Sequence, residues 1–275
     1  LGFASVVWTQ LWTKVGLWVI YALLVVVVSY VAAWLAIRAR PDSGDGWRVR
    51  INGDIIEIGR GISSRRARRT TIVVSLIAGV LFGSRFNSHW AQILLMTHAQ
   101  SFGVKDAQFG IDNGFYVFVL PGLRLVASAL VFLVAVGFVF SVVMHALMGG
   151  IRITMPMHGH GVFSMTTRAR RQIAIWLLLV MLTWSLTQVL AVFGTLTQSG
   201  DKITGATYTT VHATIPWGFL MAALTAVLGV VLCVWLMRSH SIDGPAPMGV
   251  RMSAALRAWR TPAVAIASFL ALSLV

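Results

Sequence analysis

Charge is scarce in this sequence. Only 11% of its 275 residues are Asp, Glu, Lys or Arg, while 57% are hydrophobic; a soluble domain carries roughly 25% charged residues. That balance excludes an ordinary water-soluble domain. Cysteine is nearly absent as well. Cys233 is the only one and lies inside an apolar run, which excludes an intrachain disulfide and a cysteine metal cluster. The patterns of catalysis are missing too: no Ser-His-Asp, Cys-His or HExxH arrangement is present. His158 and His160 form a His-Gly-His pair, but a metal site takes about three or four ligands. The expectation is therefore no enzyme activity, no metal and no cofactor in this stretch of chain.

Long apolar runs stand in place of these features. A bilayer core about 30 Å thick needs roughly 20 apolar helical residues to cross it. Backbone in lipid must satisfy its own hydrogen bonds, and the runs show no period-two alternation, so they read as helices and not as barrel strands. Six segments follow, near residues 15–37, 70–84, 121–147, 173–193, 216–237 and 261–275. Arg38, Arg40 and Pro41 close the first. The second is short and is expected to borrow its first turn from the basic stretch before it, whose long side chains reach back to headgroups. Pro121 and Pro216 are expected to open the third and fifth, where a missing N–H costs least. The fold class this implies is an all-α integral membrane protein, one helical domain over residues 1–275. Leu1 opens near a span and Val275 falls inside an apolar run, so the sequence is expected to be a piece of a longer chain.

The formal net charge is +14. In a soluble protein that would suggest nucleic acid. Here the basic residues flank the apolar runs, so topology and anionic lipid account for them, and no nucleic-acid partner is expected. The connection from Arg38 to Thr71 holds nine arginines. Arg152, Arg168, Arg170 and Arg171 lie in the connection after the third segment, and Arg238, Arg251, Arg257 and Arg260 in that after the fifth. These connections alternate along the chain and so share one side, with 17 of the 22 basic residues. The other side carries Lys14, Arg85, Lys105, Arg124 and Lys202. The arginine-rich side is assigned to the cytoplasm of a multi-pass protein of the cell membrane. Leu1 then lies outside, which implies a further helix ahead of it.

The connections differ in character. Trp47 to Ile51 and Asp54 to Ile58 alternate around Asn52-Gly53, the signature of a small cytoplasmic hairpin, with a solvated linker as the other reading. Trp90 to Met96 reads as a helix lying in the interface. Met155 to Gly161 reads as a turn. The richest stretch is Phe102 to Arg124, FGVKDAQFGIDNGFYVFVLPGLR. Phe102, Phe109, Phe115 and Tyr116 interleave with Gly103, Gly110 and Gly114, with Asp106 and Asp112 between them and Pro121 beyond. Glycines permit turns, aspartates bond backbone N–H groups within them, and aromatics anchor at headgroup level. An ordered element packed over helix ends is expected, with Phe109, Phe115 and Tyr116 buried and Gly110 or Gly114 at positive φ. The other reading is an external binding lip with Asp106 and Asp112 on a cation, although two carboxylates are too few for a calcium loop. A second stretch, GATYTTVHATIP, sets Tyr208 and His212 ahead of the fifth segment as an interfacial cap.

These residues carry a resemblance. The spacing FG-x-x-D-x-x-FG-x-D-x-GFY-x-F-x-LP-x-LR resembles that of Uncharacterised Protein Family 0182, large membrane proteins best known from actinobacteria. Arg38 to Pro41, Gly149 to Arg152 and GATYTTVHATIP agree with it. Ala107, Thr210 and the stretch Trp47 to Ile58 depart from the family pattern. The resemblance implies about seven spans followed by a large extracytoplasmic region, of which this sequence would lack the first span and everything after the seventh. It implies no activity.

Three function classes remain in view: an envelope scaffold anchoring a large external region, a transporter or channel, and an embedded enzyme. Ionisable groups inside spans mark pumps and transporters. Here His145 is the one candidate, and Ser185 and Gln188 are expected to hydrogen-bond between helices. The expectation is a structural or interaction component of the cell envelope, with lipid and envelope proteins as partners. The alternative is a transporter or channel-like protein for a lipid or another apolar substrate.

Overall fold

A computed structural model describes residues 3–39, 47–51, 54–58, 64–154, 162–198 and 205–238, together with 264, 266, 267 and 269. Helix α1 (Phe3–Arg38) leads to strands β1 (Trp47–Ile51) and β2 (Asp54–Ile58), then α2 (Ser64–Gly83) and the short α3 (Trp90–Thr97). After the Ser101–Asp112 loop come α4 (Leu120–Leu147), strands β3 (Ile151–Thr154) and β4 (Val162–Met165), α5 (Thr167–Gly194) and α6 (Ile215–Arg238). The strands form two antiparallel ribbons, with Trp47 opposite Ile58 and Ile151 opposite Met165. The Asn52-Gly53 turn, His158 and His160 lie outside the described residues.

Among the described residues four helical stretches are long and apolar enough to cross a membrane: Ser5–Arg38, Phe115–Leu147, Thr167–Thr197 and Thr210–Arg238. Helix α2 stands apart because Arg65, Arg66, Arg68 and Arg69 occupy its first turns. Of the last apolar segment only Val264, Ile266, Ala267 and Phe269 are described, all helical.

The prolines correct the sequence reading. Pro121 and Pro216 do not open their helices. Helical backbone begins at Asn113 and Tyr208, and a π-helical turn, Phe115–Val119 and Thr210–Thr214, precedes each proline-bearing segment. Proline cannot donate a backbone hydrogen bond, and its ring crowds the carbonyl of residue i−4. A widened turn relieves that crowding: Leu120 N–H donates to the Phe115 carbonyl, and Ile215 N–H to that of Thr210.

Contacts cluster the chain into two compact units, each drawing on α1, α2, α4, α5 and α6. In the unit of residues 1–26, 77–133 and 181–227, Gly79 lies against Ala22 and Val26, and Gly83 against Ala22 and Trp18. The Tyr21 hydroxyl donates to the Ala129 carbonyl at 3.1 Å, and the Phe82 and Phe132 rings meet edge to face. Ser185 Oγ donates to the Ala222 carbonyl at 2.7 Å, and Gln188 exchanges bonds with Thr225. The inter-helix role expected for Ser185 and Gln188 is thus present. In the unit of residues 27–76, 134–180 and 228–275, Ala33, Ala36, Ala67, Met144 and Met148 form a core flanked by Ile37 and Phe140.

Helix α2 shows how little side chain this packing uses. Ala67, Thr71, Ser75, Gly79 and Gly83, four residues apart, are buried, while Ile72, Val73, Val74, Leu76, Ile77, Val80 and Leu81 are exposed. Apolar burial cannot drive association where the surroundings are equally apolar, so helices hold together through close approach at small residues. A Cβ on Gly79 would meet Val26 Cγ2 at 2.5 Å and the Ala22 carbonyl oxygen at 2.9 Å, whereas one on Gly16 would meet nothing within 4 Å. Gly79→Leu should therefore destabilise the fold by about 1–3 kcal/mol through overpacking, and Gly16→Leu should be near neutral. Thermal unfolding of the detergent-solubilised full-length protein measures both. Equal melting temperatures for the two variants would exclude this packing.

Candidate functional site

The Ser101–Tyr116 segment is organised by its two aspartates. Asp112 Oδ2 accepts from the Ser101 hydroxyl at 2.6 Å and the Gly103 N–H at 2.9 Å, and Oδ1 accepts from the N–H groups of Phe102 at 3.0 Å and Gly114 at 2.7 Å. Asp106 Oδ1 accepts from the N–H groups of Gln108 at 2.8 Å and Phe109 at 2.6 Å. Its Oδ2 accepts from the Ile111 N–H at 3.0 Å and the Tyr116 hydroxyl at 2.7 Å. Backbone bonds close the same loops: Asp106 N–H to the Ile111 carbonyl, Gly110 N–H to that of Asp106, and Asn113 N–H to that of Val104. Lys105 and Asp112 form an isolated antiparallel bridge.

Glycine serves two different needs here. Gly103 and Gly110 take positive φ, 71° and 67°. Gly114 is helical with φ −60°, so of the two positions expected to supply a left-handed turn Gly110 is the one that does. Its role is close approach, because a Cβ there would run into the Gln100 carbonyl.

The donors set the acidity of both carboxyls. For Asp112, the Ser101 hydroxyl and the N–H groups of Phe102 and Gly114 lead the stabilisation of the anion; burial works weakly against them, and the Gly103 N–H adds to it, holding the carboxyl at about 2 against an ordinary 3.8. For Asp106 burial is the largest influence and pushes upward. The Phe109 N–H, the Tyr116 hydroxyl and the Ile111 and Gln108 N–H groups together outweigh it, so Asp106 also lies below the ordinary value. Carboxylates ringed by donors are poorly placed to bind a cation. No group of three or more His, Cys, Asp or Glu that would hold a metal occurs among the described residues.

The aromatics join this segment to the helices. Tyr116 is buried, whereas Phe109 and Phe115 are half-buried, less than the sequence reading expected. Phe109 packs on Phe193 of α5 at 4.9 Å and Phe219 of α6 at 6.3 Å, and Phe115 also meets Phe193. Phe102 lies exposed with its ring edge-on to Phe118. Pro121 follows the π turn described above. Tyr208 and His212 are a separate pair, exposed and stacked at 4.0 Å. No hydrogen bond or ring contact joins them to the Asp106 or Asp112 clusters among the described residues.

His145 is 1% exposed. Its Nε2 lies 3.0 Å from Gln172 Oε1, and Gln172 Nε2 donates to the Ala32 carbonyl at 2.7 Å, so one relay ties α4, α5 and α1. Sequence reasoning missed Ser101, Phe193, Phe219 and Gln172. Ser101 is the one with a legible signal, a hydroxyl directly ahead of the Phe102-Gly103 turn. A phenylalanine inside an apolar run looks alike whether it meets lipid or a neighbouring ring.

Fold and site define a class: a helical chain with, among the described residues, four helices long and apolar enough to cross a membrane, and an aspartate-organised segment running into one of them. The chain belongs to Uncharacterised protein family (UPF0182), whose family profile matches residues 1–275. It is 62% identical over its whole length to a UPF0182 protein of Bifidobacterium longum and 61% identical to one of Bifidobacterium adolescentis, and covers 26% and 25% of their lengths. A UPF0182 protein of Corynebacterium efficiens is 33% identical over 222 residues, which are 81% of this chain and 22% of that protein. The chain thus spans about a quarter of the length of the curated relatives it matches. No solved structure matches it.

The depressed acidity of Asp112 fixes a pH dependence. Its folded value, about 2, lies below its ordinary 3.8, so across that interval the unfolded chain binds more protons than the folded one. The stabilisation is complete above about pH 4, falls as pH drops toward 2 and is absent below it. Hydrogen exchange on the full-length protein should show the Phe102, Gly103 and Gly114 amides losing protection through this window. Asp112→Ala should speed their exchange by about ten-fold at neutral pH, with little effect from Lys105→Ala. Random-coil exchange rates from Phe109 to Tyr116 in the unmodified protein would show that the segment is not ordered.

Proposed function

We propose that this chain is the membrane-embedded part of a cell-envelope protein and works as a structural scaffold that anchors a large external region. In this reading six segments cross the membrane, α3 lies in the interface, the arginine-rich connections are cytoplasmic and the Ser101–Tyr116 segment faces outward. One observation carries the proposal: most of the polar side chains within and beside the helices are engaged in holding structure, the buried Ser75 and Ser141 hydroxyls and Arg170 Nε excepted. Ser185, Gln188, Gln172 and His145 bond between helices, and Asp106 and Asp112 are filled by local donors. None of them is left facing a path as an ionisable group of the kind that transport chemistry uses. The distribution of 17 of 22 basic residues supports the orientation. The partners this implies are the lipid bilayer and other envelope proteins. A lipid-handling role is the rival, favoured by a basic-rimmed groove beside α1 and α5.

Single cysteines introduced into the full-length protein in a Cys233→Ser background test the placement. An impermeant maleimide should label Lys105→Cys in intact cells and Arg68→Cys only after permeabilisation. The reverse pattern would invert the topology. Full-length protein in liposomes should pass no ion current. A current abolished by His145→Ala would replace the scaffold with a transporter.

A further inference from the structure

We propose that the groove between the C-terminal turns of α1 and the first turns of α5 binds one anionic phospholipid. The groove measures about 500 Å³ and is lined by Leu35, Arg38 and Ala39 of α1 and by Arg168, Arg171, Gln172, Ile175, Trp176 and Leu179 of α5. Its chemistry is ordered along α5. Residues 168, 171, 172, 175, 176 and 179 form one face at helical spacing, basic at the start and apolar beyond. That face runs about 16 Å along the helix, enough for a phosphate headgroup, its glycerol and the upper part of an acyl chain.

Among the described residues neither end of the groove has a protein occupant. Arg38, Arg168 and Arg171 are exposed and make no ion pair among the described residues. No carboxylate among the described residues lines the groove. The Arg38 guanidinium is held 3.8 Å over the Trp34 ring, which limits its freedom before any ligand arrives. The start of α5 adds the positive end of the helix, with the Ala169 and Arg170 N–H groups already donating to the Thr166 hydroxyl and carbonyl. Below, Leu35, Ile175 and Leu179 are 40%, 49% and 39% exposed. The floor is fixed: Trp176 packs against the position of Gly137, and both polar atoms of Gln172 are taken by His145 and Ala32. Guanidinium groups match phosphate oxygens in fork geometry. A free phosphate would satisfy the arginines and leave the apolar wall bare. An amphiphile with an anionic head satisfies both.

The inference rests on the membrane placement proposed above, but its test is independent of sidedness and of scaffold function. Full-length protein in detergent is mixed with phosphatidylglycerol or phosphatidylcholine, and bound lipid is counted by native mass spectrometry. One phosphatidylglycerol should be retained, with phosphatidylcholine held about ten-fold less tightly. The triple variant Arg38→Gln, Arg168→Gln, Arg171→Gln should lose at least about ten-fold in affinity. Arg65→Gln with Arg68→Gln, exposed arginines of α2 that do not line the groove, should bind as the unmodified protein does. Ile175→Trp fills the apolar wall while leaving every arginine in place, and should also displace the lipid. Should the triple variant fail to fold, Ile175→Trp decides. Equal retention of both lipids, full retention by Ile175→Trp, or complete displacement by millimolar inorganic phosphate would each overturn the site. An inverted labelling pattern at Lys105 with lipid still bound would remove the topology and leave the groove standing.

Discussion

Hydrogen-bond satisfaction in an apolar setting is the constraint on which the rest of this structure depends. Where water is absent, a polar group gains most from a partner inside the protein, and an unmade bond costs more than a made one returns; among the described residues the buried exceptions are the Ser75 and Ser141 hydroxyls and Arg170 Nε. Helix α5 bears most of that demand. Gln172 reaches Ala32 of α1 and His145 of α4, while Ser185 and Gln188 reach Ala222 and Thr225 of α6. Each bond fixes a rotation about the helix axis, because a polar side chain turned away would have no acceptor. The same accounting operates in the Ser101–Tyr116 segment, where chain without regular secondary structure would otherwise expose its N–H groups. Two carboxylates gather eight donors between them, and the loop becomes a fixed element.

Once polar bonds fix rotation, small residues set distance. Gly79 and Gly83 bring α2 against α1, and Gly122 lets Met96 of α3 lie on α4. The π turns belong to the same logic. A proline inside a helix leaves an unpaired carbonyl and a clash, and widening the preceding turn moves the bond to the next carbonyl back. At Phe115–Val119 that turn also aims Tyr116 at Asp106, so the accommodation of Pro121 and the ordering of the aspartate segment involve the same residues.

The parts legible in the sequence were those with a compositional cost. Aspartates amid glycine and aromatics have few uses other than turn chemistry, so Asp106 and Asp112 could be assigned from spelling alone. Gln188 and Ser185 stood out because polar atoms in an apolar run demand a partner. The position of each proline is plain, but its effect is not: an i to i−5 bond has no residue signature, so the sequence points to helix starts at Pro121 and Pro216, whereas helical backbone begins at Asn113 and Tyr208. The β3–β4 ribbon, with four-residue strands, is too short for alternation to register. Phe193 and Phe219 were hidden by sameness, since nothing in an apolar run separates a lipid-facing ring from one that receives Phe109.

Arginine placement separates two roles that net charge merges. Orientation in a membrane depends on how many cations lie on each side and hardly on where each one sits. By that criterion Arg65 to Arg69 serve as well as any others. A binding site depends on placement. Arg38, Arg168 and Arg171 line the same groove as exposed Leu35, Ile175 and Leu179, with no carboxylate among the described residues to neutralise them. Arg170, beside them in sequence, is turned inward, 8% exposed, its Nη2 donating to the Thr167 hydroxyl and its Nε without a partner among the described residues. Two neighbours on one helical turn thus have opposite surroundings. If charge count alone had shaped this turn, its arginines would have no reason to share a face with an apolar stripe. Their convergence on that stripe is what a headgroup with a tail requires, and a topological signal does not.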